Sequence, residues 1–200
     1  MKWLFLLLLV TVTACTTSTP DRVDNVCSIF REKDDWYDEA ADAQKEWGST
    51  IPVMMAIMHQ ESRFVARAKP PRKKIFGFIP GPRPSDSYGY SQALGSTWKS
   101  YKRDAGRYGA DRDDFGDAID FIGWYNYKSW KRSGISRSDA YHLYLAYHEG
   151  HGGYNRGSYR NKAWLQKVAG KVNRRAQSFH RQLQSCEADL KDDGWFFGWF

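Results

Sequence analysis

The sequence predicts a mainly α-helical, single-domain protein, and three observations lead to that fold class. Apolar residues recur at three- and four-residue steps through much of the chain, whereas no clear run in its body alternates apolar and polar residues as a half-buried strand does. The length of 200 residues is enough for one domain with a real core and short for two. Composition is globular, with 42% hydrophobic and 26% charged residues and no low-complexity tract or internal repeat.

The start of the chain has the pattern of an export signal. Lys2 precedes an apolar run over 3–12, which is too short to span a bilayer. The run ends in Val-Thr-Ala-Cys, with the cysteine at position 15. This ending resembles the bacterial lipobox, a small-residue cleavage site directly before a lipid-modified cysteine.

The lipobox resemblance implies a removed signal peptide over 1–14, a lipid on Cys15 and a polar tether over 15–20. Because Thr16 follows instead of Asp, it implies an outer-membrane lipoprotein that faces the periplasm. An ordinary signal peptide that happens to contain a cysteine is the alternative.

Charge and aromatic content narrow the classes of partner. The net charge of +7 suits nucleic acid, an anionic membrane surface or an acidic polymer, and export removes nucleic acid from that set. Aromatic residues make up 16% of the chain. They suit a core of large rings and also a sugar-binding cleft, because flat ring faces pack against the apolar faces of pyranoses.

The folded domain is expected over 21–189, and it begins with two helical segments. The first runs from Val23 to about Trp47, with a break inside it. Ser49 or Thr50 can cap the next helix, whose first turn tolerates Pro52. This second segment is expected to run to about Val65.

A Pro-rich insertion follows over 66–88, with five prolines. It is predicted to form a long ordered loop or a small hairpin around 75–79. Its basic residues either flank a cleft that binds an anionic polymer or belong to a solvated loop. They are Lys69, Arg72, Lys73, Lys74 and Arg83.

Helices are predicted over 91–104 and 115–130. Ser138 is expected to cap a short helix through Tyr147, which Gly150 would end. The last helix has the clearest apolar stripe, which should pack on the core. The stripe consists of Leu165, Val168, Val172, Ala176, Phe179 and Leu183.

The chain is predicted to end in an aromatic tail over 190–200. The tail can cover the core, insert into a membrane interface or dock on a partner.

If Cys15 is acylated, Cys27 and Cys186 remain, and an even pair in an exported protein suggests a disulfide. Two buried free thiols are the alternative.

Glu61 falls inside the apolar stripe of the helix predicted over 51–65. A carboxylate that faces a core is costly unless it is paired or protonated, and desolvation raises its pKa, as a general acid near neutrality requires. The alternative is a boundary glutamate paired with Arg63 or Arg67. The stripe members around it are Val53, Met54, Ile57, Met58, Phe64 and Val65.

Three motifs occur in order: Glu-Ser-Arg-Phe at 61–64, Gly-Tyr-Ser-Gln at 89–92 and Leu-Ala-Tyr-His-Glu-Gly at 145–150. They resemble the soluble lytic transglycosylases of the lysozyme-like superfamily. That family carries a Glu-Ser pair ending a helix, a Gly-x-x-Gln turn opening the next one, and Ala-Tyr-Asn-x-Gly. The match covers about 50–152. It implies a lysozyme-like helical domain with the Pro-rich insertion beside the cleft.

The resemblance assigns roles to individual residues. It implies that Glu61 is the catalytic acid and base and that Tyr147 lies close to it and orients it. His148 stands where the family has Asn, as a substrate-binding position, and Glu149 stands where small residues are usual. The residues implied to line the cleft and hold the substrate acetamido group are Ser62, Tyr90, Ser91 and Gln92.

The implied activity is that of a lyase acting on peptidoglycan, which cleaves the bond between N-acetylmuramic acid and N-acetylglucosamine and forms a 1,6-anhydro sugar without metal or cofactor. The expected partners are peptidoglycan strands and, through Cys15, the outer-membrane lipid. We expect a monomer, with a recruiting partner in the cell-wall machinery left open.

Two rival functions and one rival site remain. A lysozyme-type hydrolase would need a second carboxylate to position water, and Asp86 is the candidate. A catalytically inactive peptidoglycan-binding lipoprotein is the other. A metal site at His148 and His151 is disfavoured, since His-Glu-x-x-His places two histidines four apart on a helix, whereas these are three apart beside glycines.

Overall fold

A computed structural model describes the backbone of residues 18–196 and the side chains of 18–191. The predicted signal peptide, Cys15 and the last four residues of the tail lie outside the described residues. No described helix is both long and apolar enough to cross a bilayer.

The described chain is mainly helical, which confirms the predicted fold class, and it contains the small hairpin that the sequence left as one of two options. The elements are α1 (Val26–Glu32), α2 (Trp36–Trp47), α3 (Ile51–Ser62), β1 (Lys74–Ile75), β2 (Ile79–Pro80), α4 (Gly95–Asp104), α5 (Phe115–Ser133), α6 (Ala140–Asn155), α7 (Ala163–Gln184) and α8 (Glu187–Phe196).

The first helical segment is broken between α1 and α2, as expected, but the predicted cap of α3 is wrong. Thr50 occupies the N-cap position without a side-chain capping bond. The Gln44 side chain accepts the hydrogen bond from the Ile51 N–H instead, at 2.8 Å. Ser49 is buried and its hydroxyl accepts from the Asn126 amide at 2.9 Å.

Helix α3 is the central helix of the fold. All residues from Ile51 to His59 are buried, and the helix packs against α2, α5, α6 and α7. A helix that is apolar on every side must lie inside the protein. It ends at Ser62, earlier than predicted, because Arg63 and Phe64 adopt left-handed backbone conformations with φ of 52° and 62°.

Helix α4 begins four residues later than predicted. Residues 88–93 form a turn closed by a bridge between Tyr88 and Ala93, with Gln92 in the left-handed region at φ 49°. The chain therefore reaches helical geometry only at Gly95.

Helix α6 differs from the prediction at its N-terminus and agrees with it at Gly150. Asp139, not Ser138, accepts the capping hydrogen bond, from the His142 N–H at 3.1 Å. Gly150 leaves helical geometry at φ 70°, ψ 156°, yet the helix resumes and runs to Asn155. The glycine thus interrupts the helix where the sequence predicted a stop, and a second helical segment continues beyond this kink.

The last long helix and the cysteine pair agree with the sequence analysis. The predicted stripe of α7 is buried except at Val168, which is partly buried, while Ala169 faces the core. Cys27 in α1 and Cys186 after α7 form a disulfide, with Cα atoms 6.1 Å apart and a sequence separation of 159. The free-thiol alternative is therefore wrong.

The boundary predicted for the aromatic tail falls inside α8. Leu190 packs into the core, and the Tyr37 hydroxyl donates to Glu187 at 3.1 Å. The first part of the predicted tail is therefore helical.

Candidate active site

Glu61 lies in the last turn of α3, one residue before the helix ends. It is only partly exposed. Helix α6 packs against this part of the fold and brings the hydroxyl of Tyr144 to the Glu61 carboxyl and the ring of Tyr147 close to it. The carboxyl therefore faces two phenols, with no cation beside it.

Burial raises the pKa of Glu61 to about 7, and hydrogen bonding from Tyr144 acts in the opposite direction. The alternative of a surface ion pair is wrong. Arg67 pairs with Asp113 at 3.2 Å, and Arg63 is exposed on the side of α3 that carries His59. An unpaired and desolvated carboxyl of this kind holds a proton near neutral pH.

Tyr144 was missed by the sequence analysis, although a signal was present. Tyr144 and Tyr147 are three residues apart, so a helix places both on one face. Tyr144 is buried, and both burial and Glu61 raise its pKa. Tyr144 is therefore the neutral residue that hydrogen-bonds to Glu61. The motif resemblance had implied that Tyr147 orients the carboxyl.

Tyr147 connects α6 to the turn at 88–93. Its hydroxyl donates to the Ser91 carbonyl oxygen at 2.6 Å. Burial and the nearby Glu61 raise the pKa of Tyr147 well above its ordinary value. Tyr147 thus lies near Glu61, as expected, but its hydrogen bond holds the second motif against the third.

Gln92 fastens the same turn to the loop after α3. Its amide nitrogen donates to the carbonyls of Ala68 and Gly89, both at 2.9 Å. Its amide oxygen accepts from Ser87 at 3.3 Å. The Gly89 N–H also donates to Ala68, at 3.0 Å. The Pro-rich insertion is therefore an excursion that leaves and re-enters the fold next to the end of the Glu61 helix.

Tyr90 and Ser91 do not line an open cleft, which corrects the expectation for both. Tyr90 is 1% exposed and its ring packs edge-on against Trp36 at 5.6 Å. Ser91 is fully buried. The cause is the backbone at Gly89, where φ is 81° and a Cβ would lie 1.9 Å from the Arg112 carbonyl. This close approach, with the hydrogen bond from the Tyr90 N–H to the Arg112 carbonyl at 3.1 Å, packs the turn tightly against Arg112.

Ser62 is also buried, and its hydroxyl donates to the Met58 carbonyl one turn earlier at 3.3 Å. Asp86 is exposed, and its carboxylate accepts from the Gly95 N–H at 3.1 Å. It therefore occupies the N-terminus of α4, where the helix dipole favours a negative charge.

His148 and Glu149 depart from the family motif, and the structure gives them a common arrangement. Burial acts to raise the pKa of Glu149, but hydrogen bonds from Lys162, Ser158 and His148 outweigh it and lower the pKa to about 2. Glu149 thus holds the exposed His148 ring, 3.1 Å away, edge-on to Trp164. Residues 18–191 contain no group of three or more side chains suited to hold a metal ion.

A cavity of about 390 Å³ opens beside the kink of α6. Trp124, Tyr125, Gly150 and His151 are among its lining residues. The Tyr125 ring lies 5.0 Å from the ring of Tyr147. The buried Tyr125 ring therefore lies between this cavity and Tyr147.

A scan against protein families matched residues 3–186 to the family described as Transglycosylase SLT domain. The chain belongs to this family. Membership of the SLT domain family implies a transglycosylase-type function that acts on peptidoglycan, and it confirms the resemblance drawn from the three motifs. No curated protein and no solved structure matched the chain.

Proposed function

We propose that this SLT domain is a lytic transglycosylase that cleaves the β-1,4 bond between N-acetylmuramic acid and N-acetylglucosamine and forms a 1,6-anhydro sugar. The observation that carries the proposal is the Glu61 carboxyl, which lies beside Tyr144 and Tyr147 and whose pKa burial raises to about 7. A group with that pKa is neutral in a large fraction of molecules and can both give and take a proton near neutrality.

The reaction needs one side chain in two roles. Neutral Glu61 donates its proton to the bridging oxygen as the glycosidic bond breaks, which releases the N-acetylglucosamine hydroxyl. The 2-acetamido oxygen of the muramoyl residue stabilises the cationic C1. The Glu61 carboxylate then takes the proton from the muramoyl 6-hydroxyl as that oxygen bonds to C1. Glu61 ends protonated, and no water is consumed.

The surroundings of Asp86 favour this lyase over the rival hydrolase. A hydrolase with two carboxyl groups needs the second one to hold water or the sugar. Asp86 instead accepts a backbone hydrogen bond at the start of α4. The inactive-binder alternative leaves the cost of keeping an unpaired carboxyl in a desolvated site unexplained.

Mass spectrometry of digested sacculi tests the proposal. We expect muropeptides that end in 1,6-anhydro-N-acetylmuramic acid. Digestion in water enriched in oxygen-18 adds a control, because the lyase takes up no solvent oxygen. Reducing ends that carry the heavy oxygen would establish a hydrolase and overturn the lyase proposal.

The pH profile should depend on Tyr144. Because Glu61 must enter the reaction protonated, kcat/KM should fall as the pH rises through about 7. The Tyr144 hydrogen bond lowers the pKa of Glu61, so Tyr144→Phe should raise that pKa and move the alkaline limb to higher pH. Tyr141→Phe, on the same helix, is the control. An alkaline limb that stays in place or moves down in Tyr144→Phe would contradict this account.

A further inference from the structure

The tip of the hairpin exposes two aromatic rings that the fold does not use. Phe76 and Phe78 are 85% and 75% exposed, the most exposed large apolar side chains among the described residues. Ile75 and Ile79 beside them are also exposed, at 44% and 45%. Contiguous apolar surface of this kind marks an interaction site.

Backbone geometry gives no reason for a phenylalanine at the turn. Phe76 lies in the left-handed region with φ 52°, followed by Gly77 at φ 79°. That conformation suits Gly, Asn or Asp and is unfavourable for a bulky side chain. Neither burial nor turn geometry accounts for the ring at 76, so its role lies outside the fold.

Five basic residues of the insertion, here called the collar, flank the tip in sequence. The chain has no acidic residue between Glu61 and Asp86, and no collar residue pairs with a carboxylate in the described part of the chain. Strand residues rise about 3.3 Å each, which places Lys74 roughly 7 Å behind Phe76. The collar consists of Lys69, Arg72, Lys73, Lys74 and Arg83.

We propose that this hairpin inserts Phe76 and Phe78 into an anionic lipid surface while the collar binds the lipid headgroups. Apolar side chains of interfacial segments reach about 5–10 Å into the boundary between headgroups and acyl chains, which matches the distance of about 7 Å between Phe76 and Lys74. Basic residues near an anionic leaflet add further attraction.

The shape of the tip favours lipid over a sugar. Ligand sites for small molecules are concave and contain a few placed polar groups. The tip is a convex turn of Phe76, Gly77 and Phe78, without a polar side chain. A fluid apolar phase can surround such a tip, whereas a glycan strand would contact it only from one side.

The insertion also determines where the hairpin tip lies relative to the Glu61 site. Its ends meet where the Gly89 N–H donates to the Ala68 carbonyl, six residues after the end of the Glu61 helix. A hairpin seated on a membrane would therefore hold the site close to the lipid surface. The lipid contact itself does not depend on catalysis.

Vesicle co-sedimentation tests the proposal. A chain that begins at Ser18 is suitable for this experiment, because every described core residue and the disulfide lie between Val26 and Leu190. It should bind vesicles of phosphatidylcholine with phosphatidylglycerol more tightly than vesicles of phosphatidylcholine alone, and added salt should weaken the binding.

Two matched pairs of variants locate the contact. Phe76→Ser with Phe78→Ser should weaken binding to the anionic vesicles about tenfold or more, whereas Tyr108→Ser, which changes a ring 72% exposed elsewhere, should not. Lys73→Gln with Lys74→Gln should weaken binding more than Lys45→Gln with Lys99→Gln. Unchanged thermal melting shows that each variant is folded.

Three results would overturn the proposal. Binding that the tip variant leaves intact would place the lipid contact elsewhere, for example in the aromatic tail. Equal binding to neutral and anionic vesicles would remove the role of the collar. Loss of sacculus binding in the tip variant, with vesicle binding retained, would make the hairpin a glycan contact.

Discussion

Glu61→Gln is expected to slow the clearance of sacculi by about 10²–10⁴-fold, the range typical for loss of a general acid–base group. The amide has the shape of the acid but can neither donate the proton to the leaving oxygen nor accept one from the 6-hydroxyl. Binding of sacculi should persist, because the phenols around position 61 and the turn at 88–93 do not depend on the carboxyl. Turbidity clearance and a pull-down with intact sacculi measure the two properties.

Glu39→Gln is the matched control for this prediction. Glu39 is a half-buried glutamate whose pKa is also raised to about 7, by burial and by Asp114 and other nearby carboxylates. It lies in α2 against Gly116 of α5. Its variant should clear sacculi at the wild-type rate. Clearance by Glu61→Gln at that rate would remove Glu61 from the mechanism.

Cys27→Ser with Cys186→Ser should lower the free energy of unfolding by about 2–5 kcal/mol. The bridge spans 159 residues, so its loss frees almost the whole unfolded chain. For a domain of this size, a loss of 4 kcal/mol corresponds to a fall in Tm of about 8–16 °C. Thermal melting monitored by circular dichroism gives both values.

A reductant provides the control for the disulfide prediction. Dithiothreitol should lower the Tm of the wild-type chain to about that of the double variant and leave the variant unchanged. If the double variant melts at the wild-type temperature, the packing of α1 on α7 and α8 holds the chain ends without the bridge.

The parts of the fold that could be predicted from the sequence are those that depend on local sequence patterns. The stripe of α7 and the position of Glu61 follow from helical periodicity, since each depends on residues close in the chain. The late start of α4 could not be predicted, because it depends on tertiary contacts that override local preference. Gly89, for example, packs on Arg112, which is distant in sequence.

The acid of the candidate site could be predicted from the sequence, whereas the arrangement of the residues around it was harder to predict. Burial of Glu61 follows from one helix, but the inward turn of Tyr90 and Ser91 follows from the packing of the turn at 88–93. Motif comparison points to Tyr147 because it is in the motif, whereas Tyr144 reaches the carboxyl because of how α6 crosses α3. Such details require the relative position of two helices.

A carboxyl-carbon NMR titration of the glutamate side chains tests the central claim most directly. Subtracting the spectrum of Glu61→Gln from that of the wild type identifies the Glu61 signal, which separates it from that of Glu39. We expect a midpoint near pH 7. A midpoint near 4.5, the ordinary value for glutamate, would show that the carboxyl is solvated and already ionised at neutral pH, and the single-acid mechanism would then be contradicted.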